Sequence, residues 1–211
     1  MHRLTSHVIT DEATLRVLLD KPNPQVSAKI TQRLNALTRQ LIEQAPLLFI
    51  ATSDETGQCD VSPRGDPRGF VRILDEQTLL VPERPGNRIA DSLRNIIRNP
   101  HAGLIFVIPG VTDTFRVNGR ATLTTDQALL APLAVEHQAP KLGILIDIED
   151  CYTQCSKALL RADVWNPSNF IDRAALPSHG EIQRAVCGEQ VDAATYDQER
   201  AARYARREGF Y

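Results

Sequence analysis

Three short segments carry residue types suited to holding an anion. The first is VSPRGDPRGF, Val61 to Phe70. Within it Ser62, Pro63, Arg64 and Gly65 stand together. Glycine permits close approach of backbone to a ligand and proline fixes the direction of entry. Arginine offers a planar fork of donors that suits a phosphate. A tight loop with solvated arginines has the same composition, and the RGD tripeptide inside it is too short and too common to argue for adhesion.

The second segment is RPGNR, Arg84 to Arg88. Asn87 is a good N-cap for a following helix, which puts Arg88 at the first helical position, where its charge opposes the helix dipole. An anion shared by Arg88 and the free amides of that helix end would remove the conflict. An ion pair with Asp91, one turn on, would do the same. The third segment spaces Lys157, Arg161 and Trp165 at i, i+4, i+8, one stripe if helical. Two cations beside an aromatic suit a flat anionic ligand. They equally suit a helix that packs its tryptophan inward while the cations reach out to water.

Other chemistries find little support. No G-x-S-x-G, H-E-x-x-H or phosphate-binding Walker loop occurs. The five histidines (His2, His7, His101, His137, His179) are scattered. Cys151 and Cys155 form a C-x3-C pair with no second pair to complete a zinc site, so these and Cys59 and Cys187 read as reduced structural thiols and no metal is expected.

The elements that must position these segments follow from the hydrophobic period. A short helix is expected over 11–19 and a longer one over 25–45, with Ile30, Leu34, Leu37, Leu41 and Ile42 on one stripe. The period then changes. LLFIATS (47–53), QCDVS (58–62), GFVRIL and TLLVP read as four strands in quick succession, an antiparallel meander. RPGN opens a helix carrying Ile89, Leu93, Ile96 and Ile97. HAGLIFVIPG is an unbroken apolar strand, expected to be buried on both faces. TFRVNGRATLT alternates, with Phe115, Val117, Gly119, Ala121 and Leu123 on one side. TDQALLAPLAV reads as a short helix, LGILIDIED as a strand, CYTQCSKALLRADVW as helical or turn-rich, and 192–207 as an exposed helix. Connections this short between the first strands exclude parallel crossovers and favour a small barrel.

The chain has 211 residues and a formal net charge of -2, which argues against a general nucleic-acid binder. No apolar run approaches a membrane span, and the start, MHRLTSHVITDEATL, lacks the basic-then-apolar layout of a secretory leader. A cytoplasmic protein is the expectation, with a helical extension over 1–45, a core domain over 46–167 and a polar, partly helical tail over 168–211.

Taken together, SPRGDPRGF, RPGNRIADSLRN, FRVNGRA and CSKALLRADVWNP, in this order, resemble the pyridoxamine 5'-phosphate oxidase-like, FMN-binding split-barrel superfamily, over about Leu47 to Pro167. The resemblance implies a mainly β fold with flanking helices (α+β): a six-stranded split barrel that dimerises, with FMN bound at the dimer interface. It implies that Arg64 and Arg88 hold the FMN phosphate, that Asn87 donates from the helix start, and that Ser62 and Gly65 line the flavin. Thr114 falls where the oxidase proper has a glutamine contacting the flavin ring. Lys157, Arg161 and Trp165 would close the site, from the same or the partner subunit of the dimer. The implied activity is FMN-dependent oxidation–reduction of a small molecule, with no catalytic acid or base assigned. A flavin carrier or sensor without turnover, and a haem-handling or deazaflavin-dependent relative, are the alternatives. The sequence departs from the oxidase proper at Asn87-Arg88-Ile89, which has one cation fewer. The tail from Ser168 also shows no counterpart of that enzyme's substrate-recognition segment, so oxidation of pyridoxamine phosphate is not expected.

Overall fold

A computed structural model of the chain describes residues 7–211. His2 and the first six residues of the start segment lie outside the described residues.

The chain opens with α1 (Glu12–Leu18), capped by the Asp11 carboxylate, then α2 (Pro24–Ala28) and α3 (Ala36–Gln44). The single helix expected over 25–45 is therefore two. The reason lies in competing backbone bonds. Thr31 exchanges hydrogen bonds with Cys151, its N–H donating at 3.1 Å and its carbonyl accepting at 2.7 Å. Asn35 then starts a new helix through a capping box with Thr38. Of the expected stripe, Leu34 and Ile42 enter the core while Ile30 and Leu37 stay exposed.

The strands are β1 (Leu47–Ser53), β2 (Cys59–Gly65), β3 (Arg72–Ile73), β4 (Thr78–Glu83), β5 (His101–Val107), β6 (Thr114–Thr124) and β7 (Leu142–Gln154). They form one seven-stranded antiparallel sheet in the order β2-β1-β5-β6-β7-β4-β3. The expected four-strand meander does not form. β1 and β2 make one hairpin and β3 and β4 another, but the two hairpins sit at opposite edges of the sheet because β1 pairs with β5 and β4 with β7. The residues between Gly65 and Arg72 thus carry the chain from one edge to the other.

The core is built from Leu48, Ile50, Leu79, Val81, Leu104, Phe106, Phe115, Val117, Ile144 and Ile146, all essentially inaccessible. β6 alternates as its sequence predicts, with Phe115, Val117, Gly119 and Ala121 buried. β5 does not bury both faces. Ala102, Leu104 and Phe106 face the core, while Gly103, Ile105 and Val107 are only partly covered. Its apolar composition reflects a sheet whose outer face is apolar as well, since exposed Phe49 on the adjacent β1 and exposed Val61 on β2 beyond it lie on that side.

The β6–β7 register shifts between Asn118 and Gly119, where β7 carries one extra residue, Glu149. A Cβ on Gly119 would lie 2.0 Å from the Asp147 carbonyl oxygen, so no larger residue fits this backbone contact. β7 runs on to Gln154, so Cys151–Gln154, expected in a helix or turn, extend the strand instead. The remaining elements are α4 (Asp91–Arg98), α5 (Gln127–Leu130), α6 (Lys157–Ala162), α7 (His179–Cys187) and α8 (Ala193–Ala205). Among the described residues, no helix is long and apolar enough to cross a membrane.

Candidate functional site

The two sheet edges approach each other without pairing. β3 is two residues long and covers only Leu79 and Leu80 of β4, so Val81, Pro82 and Glu83 have no strand on that side. Pro82 has no N–H to offer such a strand. The gap between the end of β2, the end of β4 and the loop into α4 is a cleft of about 440 Å³, within the range of roughly 300–1,000 Å³ usual for small-molecule sites. Ser62, Pro63, Arg64, Gly65, Asn87 and Arg88 all line it. Two of the three sequence segments therefore meet, from chain positions about twenty residues apart.

The RPGNR loop differs from its expected form. Asn87 is not the N-cap. Its side-chain oxygen accepts from the Ile89 N–H at 2.9 Å, closing a local turn, and α4 begins only at Asp91. Arg88 and Ala90 are both left-handed, with φ of 65° and 60°. Ala90 occupies the N-cap position and supplies no side-chain hydrogen bond, so the first-turn amides of α4 have no side-chain cap. Arg88 thus precedes the helix rather than opening it. Asp91 pairs at 4.0 Å with Arg94, and among the described residues Arg88 makes no ion pair. An exposed guanidinium and an uncapped helix N-terminus line the same cleft, a pairing of donors that suits an anion.

Arg64 is held differently. Its Nε donates to Glu83 Oε2 at 3.0 Å and one terminal nitrogen to the Pro63 carbonyl at 3.1 Å, with the side chain mostly buried. That orients the guanidinium across the gap between β2 and β4. Residues outside the expected set hold the walls of the cleft in place. Asp60, on β2, accepts through Oδ2 from the hydroxyls of Ser62 at 2.9 Å and Ser92 at 2.7 Å. It thereby ties the β2 wall to the first turn of α4, which Asn95 and Asn99 anchor further by donating to Thr52 and Ser53 of β1. Arg84 lines the cleft too, with Nε on Asp66 at 2.6 Å and a terminal nitrogen on the Leu133 carbonyl at 2.7 Å. Asp60 was legible in principle, since i and i+2 on a strand share a face. Its partner Ser92 lies 32 positions away, and nothing local connects them.

The other expected residues are not brought here. Thr114 is buried at the start of β6, opposite Gln154 of β7, away from the cleft. Lys157 and Arg161 are exposed on α6, which ends at Ala162 because Asp163 turns left-handed with φ 47°. Trp165 lies beyond the helix, so the i, i+8 stripe is broken. Its indole N–H donates to the Val111 carbonyl at 2.9 Å. Among the described residues no group of His, Cys, Asp or Glu could hold a metal ion.

Several solved structures are similar to the chain over a little more than half of its length. The structure of HupZ from Group A Streptococcus is 22% identical, with 57% of this chain and 93% of that chain covered and a TM-score of 0.48. General Stress Protein 26 from Bacillus anthracis is 15% identical, covering 55% and 88% at a TM-score of 0.43. A FAD-binding protein from Mesorhizobium loti is 18% identical, covering 60% and 99% at a TM-score of 0.40. No curated protein matches the chain. The profile of the pyridoxamine 5'-phosphate oxidase family matches residues 34–155, more than half of the chain. That span runs from the first buried residue before α3 through the whole sheet to the end of β7, including both cleft segments. With its antiparallel sheet split at the β2–β4 gap and flanked by helices, the chain belongs to the pyridoxamine 5'-phosphate oxidase family of split barrels.

Proposed function

We propose that the cleft between β2, β4 and α4 binds the phosphate of FMN, and that the protein is an FMN-dependent oxidoreductase acting on a small molecule. The observation that carries this reading is the wall made by Arg88 and the uncapped first turn of α4, in one cleft with Arg64. A phosphate there would meet a free guanidinium, oriented amides and the Arg64 fork at once. Gly65 and Gly86, which also line the cleft, let backbone approach the ligand. Bound FMN would supply two-electron transfer at its ring, and the chain supplies position and electrostatics.

The same reading includes a homodimer. Lys157, Arg161 and Trp165 do not reach the cleft of their own chain, and the outer sheet face exposes Phe49 and Val61. A second copy packed on that face would cover these side chains and bring α6 toward the neighbouring cleft.

The purified protein should be yellow, or take up FMN in preference to riboflavin, and light scattering should give a dimer. Equal affinity for FMN and riboflavin would remove the phosphate site. A Soret band on haem titration, with no flavin in the preparation, would favour a haem-handling protein. Reduction of bound flavin by NADH or NADPH, followed by an acceptor screen, separates an enzyme from a carrier.

A further inference from the structure

Asp66, just past β2, has a side chain only 1% exposed. A carboxylate so buried must be paired and hydrogen-bonded to stay ionised. One oxygen accepts from Arg84 Nε at 2.6 Å; the other accepts from the Tyr211 hydroxyl at 2.8 Å, 145 positions away. The Tyr211 ring also covers the Arg84 guanidinium, whose central carbon lies 5.2 Å from the ring centroid. Arg84 is the first residue of the RPGNR loop and a wall of the cleft. Its other end is fixed on the Leu133 carbonyl. The tail that delivers Tyr211 is itself anchored: Arg207 pairs with Glu136 at 3.0 Å and lies over the rings of Phe210 and Tyr211, and Phe210 packs edge-on against Tyr204 of α8.

We infer that Tyr211 is a positioning residue for the anion cleft: through the chain Tyr211–Asp66–Arg84 the tail after α8 sets the RPGNR loop, and with it Arg88 and the first turn of α4. The inference rests on the reading of that cleft as a phosphate site. Its physical content is a coupling. With the phenol in place, Asp66 holds Arg84 in one geometry, and the loop from Arg84 to Ala90, already fixed at its far end by the Ser92–Asp60 bond, has a set course. Without the phenol, one oxygen of a buried carboxylate loses its donor, and Arg84 loses both a fixed partner and its cover. Binding at the cleft and docking of the tail must then favour each other reciprocally.

The test compares FMN and riboflavin, which differ only in the phosphate, on the wild-type protein and Tyr211→Phe. The phenylalanine keeps the ring over Arg84 and removes only the hydroxyl. FMN should bind about three- to tenfold more weakly to the variant, less than the roughly tenfold or more that a direct hydrogen bond to a charged group is worth, because the loss reaches the cleft only through Asp66 and Arg84, while riboflavin affinity stays unchanged. On the wild-type protein, FMN but not riboflavin should slow amide hydrogen exchange over residues 206–211. Equal loss for both ligands, unchanged FMN affinity, or tail exchange indifferent to FMN would overturn the inference while leaving the phosphate site intact. A wild-type protein that does not prefer FMN to riboflavin overturns the cleft reading and this inference with it.

Discussion

Arg64 and Glu83 pair at 3.0 Å across the open side of the sheet, joining the ends of two strands, β2 and β4, that share no backbone hydrogen bond. The pair holds the guanidinium of Arg64 in the cleft before any ligand arrives, so little side-chain freedom remains to be lost on binding. Arg88 is the opposite case, exposed and without an ion-pair partner among the described residues. Alanine at either position should weaken FMN binding by about 1.5–3 kcal/mol, roughly tenfold to a hundredfold. Lysine should restore only part of this, because a point charge replaces a planar fork. Isothermal titration or flavin fluorescence measures both. Normal FMN binding by both alanine variants would place the phosphate elsewhere.

The close approach of Gly119 to β7 gives a stability prediction free of any ligand. Gly119→Ala puts a methyl group against the Asp147 carbonyl, backbone on backbone, where neither strand can yield without disturbing the β6–β7 ladder. The cost should be at least about 2 kcal/mol. It should appear as a lower denaturant midpoint with an unchanged m-value. Gly57→Ala, in the open turn between β1 and β2, meets no atom within 4 Å, but its φ of 88° should still cost about 1 kcal/mol. A smaller loss at Gly119 than at Gly57 would contradict the close approach.

Tyr211 should titrate later than an ordinary phenol. Burial raises its pKa most, the hydrogen bond to Asp66 and that carboxylate's charge raise it further, and Arg207 and Arg84 oppose the shift. A raised folded-state value means that the stabilisation is fully present below the phenol's ordinary value near pH 10. It is lost as pH rises through the folded value, when phenolate would face the Asp66 carboxylate. Among the four tyrosines, the one whose 295 nm transition comes at high pH should vanish in Tyr211→Phe. If the difference spectrum between the two proteins shows an ordinary phenol, the Tyr211–Asp66 bond is absent in solution.

Efficient oxidation of pyridoxamine 5'-phosphate is not expected. That substrate brings a second phosphate, which needs its own paired cations near the flavin. The tail arginines are largely engaged elsewhere: Arg206 pairs with Glu208, Arg207 with Glu136, and Arg200 lies over Tyr204. Incubating the FMN-loaded protein with the substrate and oxygen checks this. Pyridoxal phosphate formed at several turnovers per minute would assign the tail a substrate-binding role.

The cleft's two main segments could be picked out from sequence because their chemistry is local. Ser62-Pro63-Arg64-Gly65 and Asn87-Arg88 declare themselves by residue type, and the alternation of β6 and the apolar run of β5 fix strands whatever their neighbours are. Where the reading failed, another bond, distant in one case and local in the other, had overridden the expected preference. The 25–45 helix broke because Thr31 bonds the backbone of Cys151, and α4 started late because the Asn87 side chain closes its own turn. Periodicity also cannot say which edges of a sheet pair. Four short strands in succession read as a meander, yet tertiary pairing sends β1 to β5 and β4 to β7, and only that separation opens the gap that makes a cleft. The ties that shape it, Asp60 to Ser92, Arg64 to Glu83 and Asp66 to Tyr211, join residues 32, 19 and 145 positions apart. Even where one member of a pair, such as Arg64, stands out by residue type, its partner does not, because an ion pair or hydrogen bond depends on distance in space, and distance in space is what folding alone decides.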